Sequence, residues 1–217
     1  EFGPSSLNYA QGPIAVNPDR NSLFIVGHAH HQAVAEFAIP ELVDSIDLAE
    51  LNMADDPLQP FAPILSSASG GNPQNNNKIG GILYLHGQSG PELLVNAYEY
   101  YDAPGDNTLS MLAVRDADDL ANSEVDGYFQ VQGGPGHTAG WMSPIPEPWS
   151  TVLGGSYLTG NSSGMPIISR SSVGPSAFLF DPMDIVGKTT VSSPISTDKL
   201  LDFSLANPLH DDLSNES

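Results

Sequence analysis

The sequence predicts an all-β chain built from short antiparallel strands. Three observations predict it. Gly (21) and Pro (19) are plentiful while charged residues are only 15% of the chain, which means many turns and little helix. Apolar runs of strand length alternate with clusters of Gly, Pro, Asn, Asp and Ser. One strand pattern also recurs three times, and an internal repeat decides a fold before any single motif does.

In the first repeat, Gly12-Pro13 leads into the strand Ile14-Ala15-Val16, and Asn17-Pro18-Asp19-Arg20-Asn21 has the chemistry of a turn. Leu23-Phe24-Ile25-Val26 is the second strand. After Gly27-His28-Ala29-His30-His31-Gln32 comes the third, Ala33 to Ile39, stopped by Pro40. The second repeat runs Gly80 to Leu85, Leu93 to Tyr98 and Leu109 to Val114, and it ends at the acidic turn Asp116-Ala117-Asp118-Asp119. That turn suits a calcium site or the acidic start of a short helix. The third repeat runs Gly140 to Ile145, Ser156 to Thr159 and Ala177 to Phe180. Fourth, outer strands are fainter: Gln59 to Ile64, Gly127 to Val131 and Leu200 to Leu205. Their prolines and weak alternation suit edges. Of the long connections, Asp44 to Leu51 suits a short helix and the Asn-rich stretch Asn72 to Lys78 suits a mobile loop. Gly133 to Thr138 reads as a link between units.

Four-stranded antiparallel units repeated along a chain predict β-propeller blades, at about 11–68, 79–134 and 138–205, followed by a polar tail at 206–217. A β-sandwich made of the same hairpins is the alternative. A ring needs at least about four blades, so further blades of the same protein, or other copies, are expected partners, with further blades favoured. The stretches Ala15 to His28 and Gly174 to Pro182 resemble secreted bacterial β-propeller proteins of unassigned function. The resemblance spans most of residues 10–185. It implies the fold, an extracellular or periplasmic location and blades beyond residue 205, and it implies no reaction.

The charge excludes several classes. With 26 acidic against 6 basic residues the formal net charge is −20, which repels nucleic-acid phosphates and anionic membranes. Such acidity suits salt-rich, marine or halophilic settings. No apolar run reaches the about 20 residues of a membrane-spanning helix. There is no cysteine, so disulfides and thiolate metal sites are absent.

In each repeat the loop between second and third strands emerges on one side. That rule gathers His28-Ala29-His30-His31, Tyr98 to Asn107 and Asn161 to Arg170 on one rim. On a strand, His28 and His30 would face the same side, as would Tyr98 and Tyr100. Imidazoles so placed suit a divalent metal or a general base, and phenols suit sugar stacking or proton donation. Arg170 suits an anion clamp. His31, Tyr101 and Asn161 would line the ligand, and Asp102 with Asp106 would offer oxygens to Ca²⁺. Arg20 and Arg115 sit in ordinary turns. The expected function is an extracellular module binding glycans or proteins. The alternative is a polysaccharide lyase using His28 or His30, Tyr98 or Tyr100, and Arg170. That layout resembles the ulvan lyases in chemistry, not in motif. The G-x-S-x-G and H-E-x-x-H signatures are missing.

Overall fold

A computed structural model describes residues 2–162 and 174–203. Its strands form three four-stranded antiparallel sheets, each in sequence order, so the all-β expectation holds. Sheet 1 holds β1 (Ile14–Asn17), β2 (Ser22–Val26), β3 (Val34–Ala38) and β4 (Gln59–Ala62). Sheet 2 holds β5 (Lys78–Gly87), β6 (Gly90–Tyr98), β7 (Leu109–Val114) and β8 (Val125–Gln130). Sheet 3 holds β9 (Trp141–Pro144), β10 (Tyr157–Asn161), β11 (Ser176–Phe180) and β12 (Thr197–Leu201). The first strands lie side by side, β5 between β1 and β9. Among the described residues the sheets do not close a ring.

The glycines that open each repeat have a shared physical reason. A Cβ on Gly12 would stand 2.2 Å from the Cβ of Val26, and one on Gly140 2.3 Å from the Oδ1 of Asn161. Both partners end the second strand of their own sheet. A Cβ on Gly80 would stand 1.8 Å from the carbonyl oxygen of Ala139, which leads into sheet 3. A side chain at any of these would push strands apart.

Sheet 2 is apolar on both faces because it is covered on both. Leu93, Val95 and Leu112 pack with Phe24 and Val26 of sheet 1. The alternate residues Leu94, Met111 and Ala113 pack with Phe180, Ile185 and Ile195 of the third repeat. This is the period-2 pattern of a strand with two buried sides.

Polar clasps supplement each apolar seam. The connection after β7 returns to sheet 1. There the Nε2 of Gln59 donates to the Ala117 carbonyl (2.8 Å) and to Glu36 (2.7 Å), and its Oε1 accepts from the Leu120 N–H (2.7 Å). Glu36 is buried on β3 and also accepts from Asn17, Ser22 and Arg20. The connection after β11 returns to sheet 2 in the same way. Arg115 pairs with buried Glu92 (2.8 Å) and with Asp126 (2.7 Å), and donates to the carbonyls of Ile185 and Lys188. Arg20 stands in the β1–β2 turn as expected, and both it and Arg115 also supply the cations that pair with buried carboxylates.

Several local expectations are corrected. Gly133 to Thr138 is no plain link, because it contains the single-turn helix α1 (Pro135–Thr138), with proline at its tolerated first position. Its carbonyls are taken up by buried side chains: Thr138 by Asn96 and Thr159, His137 by Ser176, Gly136 by Asn161. The insertion after β9 holds α2 (Glu147–Leu153), ended by Gly154 in the left-handed region (φ 81°). The Asp44 to Leu51 connection does hold a short helix as expected, one 3₁₀ turn at Leu48–Glu50. Asp116 to Asp119 forms turns, not a helix, since the Asp116 side chain accepts from the Asp118 N–H. The fourth strand of sheet 3 begins at Thr197, earlier than expected, because Ile195 is buried and bridges to Val131. The Asn-rich stretch is tied down: Asn72 accepts from the Asn76 N–H (2.9 Å), and Asn76 donates to the Leu109 carbonyl (2.7 Å).

Candidate functional site

The β2–β3 turn of sheet 1 meets the start of β5 and the end of β6 in a cavity of about 580 Å³. His28, His30, Tyr98 and Tyr100 all line it, together with Gln32 and Lys78. Four of the residues singled out in the sequence thus share one cavity.

The histidines reach it differently from the expected strand alternation. His28 forms only an isolated bridge with Ala10, and His30 and His31 lie in a tight turn. Gln32, at φ 51°, closes that turn by donating to the Ala29 carbonyl (2.9 Å). The turn brings the rings together: His28 lies 4.6 Å from His31 and 5.4 Å from His30, centroid to centroid. Tyr9 meets the His28 ring edge-on at 5.8 Å. His28 is half-buried, whereas His30 and His31 are exposed.

Two features fix the chemistry of His28. Its Nδ1 accepts the His30 backbone N–H (3.2 Å), so the neutral ring carries its proton on Nε2. Partial burial, then the neighbouring His31 and His30, hold its pKa below the usual histidine value. At neutral pH the Nε2 of His28 is therefore a hydrogen-bond donor, not a base.

Across the seam, Gln32 Oε1 accepts from the Ile79 N–H (2.6 Å) and Lys78 Nζ donates to the Ala29 carbonyl (2.7 Å). One turn thus locks sheet 1 to sheet 2 where the site forms. Lys78 also stands 5.5 Å over the Tyr100 ring, a cation–π distance. Burial lowers its pKa.

Tyr98 ends β6 at 2% exposure. Burial, and then Tyr100, push its phenol up to about 12, so it stays protonated. Tyr100 follows in a turn, not on the strand, with its N–H held by Asn77 (3.0 Å). Tyr101 packs edge-on against Tyr100 but is 61% exposed and does not line the cavity.

The remaining expected residues lie elsewhere. Asp102 accepts the backbone N–H groups of Asp106 (3.0 Å) and Asn107 (3.1 Å), one on each carboxylate oxygen, and so closes its own loop. Asp106 is exposed. Among the described residues no group of three or more His, Cys, Asp or Glu is arranged to hold a metal ion. Asn161 is buried beneath Gly140 and bound to α1, remote in role from the ligand-lining position expected of it. Arg170 lies outside the described residues.

Sequence reasoning missed Lys78, Gln32 and Tyr9. Lys78 had a signal: it is one of only six Lys and Arg in the chain. Gln32 had none, since its role follows from a seam between sheets.

Compared with known protein families, curated proteins and solved structures, the chain matches none.

Proposed function

We propose that the three sheets are blades of an extracellular β-propeller and that the cavity between the first two binds a glycan. One observation carries the reading: His28, His30, Tyr98 and Tyr100, drawn from distant loops, meet in one cavity. The propeller layout is supported by the three in-order sheets and by their adjacent first strands. A glycan suits the lining. Aromatic faces stack on sugar rings, and imidazole and phenol groups bond to hydroxyls. Lys78 beside Tyr100 favours a sugar that carries a carboxylate.

The test is calorimetric titration with acidic and neutral oligosaccharides, comparing the protein with its Tyr100→Ala and His28→Ala variants. Each variant should weaken an acidic oligosaccharide about tenfold. No binding by any sugar, or binding indifferent to both variants, would overturn the proposal.

A second reading, a uronate lyase, rests on exposed His30 at the cavity and on the neutral phenol of Tyr98. His30 would take the proton from the carbon beside the carboxylate. The neighbouring carbon–oxygen bond would break to leave a double bond, and Tyr98 would protonate the departing sugar oxygen. Acidic polysaccharide incubated with the protein would then gain ultraviolet absorbance, and binding without that gain leaves only the first reading.

A further inference from the structure

We propose that a second cavity, walled by the first strands of all three sheets, binds a small amphipathic amine, its apolar body along β1 and β9 and its ammonium group at Asp19. The inference needs only the described sheets and does not depend on the glycan cavity.

The cavity follows from how the first strands approach one another. The start of β5 nearly touches β9: a Cβ on Gly81 would stand 2.7 Å from the Met142 nitrogen. Past this contact a cavity of about 730 Å³ opens, lined by residues 14–16 of β1, 82–86 of β5 and 142–144 of β9. The first cavity lies at the other end of β5, where Lys78 and Ile79 line it.

The walls are apolar. Ile14 and Val16 point to one side of β1 and are 57% and 55% exposed, while Ala15 between them is buried. Both line the cavity, and Met142, Tyr157 and Met183 add apolar surface from the third repeat. The volume lies within the about 300–1,000 Å³ of small-molecule sites, which join apolar walls to a few polar groups. Each wall strand is an edge of its sheet. Pro144 on β9 and Pro13 ahead of β1 have no N–H to offer. That works against an added peptide strand and favours a small molecule as the occupant.

The polar end is the β1–β2 turn against the end of β5. Tyr84 and His86 line the cavity, and both meet the same oxygen of Asp19. The Tyr84 phenol donates to its Oδ2 (2.8 Å), and His86 Nε2 stands 2.8 Å from it. The Asp19 N–H donates to Asn17 Oδ1 (3.1 Å), which holds the turn in place. Burial, then Asp19, Asp118 and Glu36, raise the pKa of the Tyr84 phenol. Three carboxylates therefore bear on this end. Arg20 pairs with Glu36 and Asp118 but not with Asp19. Among the described residues no Lys or Arg lines the cavity. An ammonium group here meets a carboxylate, and an anionic head group is repelled. The preference is opposite to that of the first cavity, where Lys78 stands.

The test is calorimetric titration of the intact protein with phenylbutylamine, phenylbutanol and phenylbutyrate. These share one apolar body and differ in the head group. The amine should bind at least about tenfold more tightly than the alcohol, and the carboxylate most weakly. Asp19→Asn should bring the amine to the level of the alcohol. Asp55→Asn, an equal change of charge at an exposed residue, should not. Val16→Trp fills the cavity from a half-exposed position and should abolish binding of amine and alcohol alike, with circular dichroism unchanged. Five results would each overturn the inference: no binding by any probe, no preference for the amine, a preference that survives Asp19→Asn, an equal loss in Asp55→Asn, or binding indifferent to a folded Val16→Trp.

Discussion

Gln59 holds two sheets together through one amide, and its removal gives the sharpest stability prediction. Its Nε2 serves Glu36 and the Ala117 carbonyl, while its Oε1 takes the Leu120 N–H. All three partners are buried. Gln59→Ala strips a hydrogen bond from each, and an unsatisfied buried group costs about 1–3 kcal/mol. Taking the lower figure for the Ala117 carbonyl and the Leu120 N–H, because water can enter the space left, and about 1 kcal/mol for the bond lost by Glu36, which keeps Asn17, Ser22 and Arg20, the loss is about 3 kcal/mol. For a domain of this size that is a fall of about 6–12 °C in Tm. Urea denaturation followed by circular dichroism measures it, with an unchanged m-value showing that compactness is kept. Asn52→Ala removes a single exposed bond to Glu41 and should stay within about 0.5 kcal/mol. A Gln59→Ala loss below about 1 kcal/mol would refute the reasoning, since the clasp would then add nothing to the apolar seam.

Other outcomes follow from the same geometry. Gly80→Ala sets a Cβ against the Ala139 backbone and should lower Tm well beyond the effect of Gly155→Ala, where the nearest atom is the end of the Leu179 side chain at 3.0 Å; equal melting of the two would contradict the close approach. Tyr98 has its folded pKa raised to about 12, so the stability it lends is complete below the unfolded value of about 10 and lost as pH climbs between the two, up to about 2.7 kcal/mol. Tyr98→Phe should flatten that part of the alkaline denaturation curve, and an identical curve would count against the burial of the phenol. His28 has its folded pKa lowered, so the stability it lends is present above the unfolded value of about 6.5 and fades as pH falls. Its ring protons in an NMR titration should move at lower pH than a free histidine's, and His31→Ala should bring them back part of the way.

The fold was legible where its cause was local. Apolar runs and turn clusters mark the strands of all three sheets, because alternation and turn chemistry are written in neighbouring residues. Gly12, Gly80 and Gly140 were legible as repeat starts, though not the contacts that require them. The fourth strand of sheet 3 was misread, because its position depends on Ile195 reaching sheet 2. The same limit explains the site. Equivalent loops correctly gathered His28, His30, Tyr98 and Tyr100, while strand alternation was the wrong mechanism for both pairs. A turn closed by Gln32 and a turn after β6 do that work. Asn161 shows the opposite error: a polar residue at a strand end reads as available, but α1 consumes it. Lys78 enters the cavity only because β5 starts beside the β2–β3 turn, a relation between two sheets.

The chain has so few cations that the position of each is informative. Arg20 and Arg115 are taken up by buried carboxylates, His86 by Asp19, and His137 and Lys199 by Asp202. Around the first cavity, Lys78 and the three imidazoles of the β2–β3 turn stand together, and among the described residues none of them makes an ion pair. In a protein of charge −20, Lys78 gives an anionic ligand a positive neighbour at this cluster. Linkage turns this into a measurement. A carboxylate bound beside His28 favours its protonated form, so the ligand must raise the His28 pKa, and lowering the pH must tighten the ligand by the reciprocal amount. NMR titration of His28 with an oligouronate, against a neutral oligosaccharide of equal length, separates the cases. A rise with both sugars or with neither would show that the cavity does not read charge.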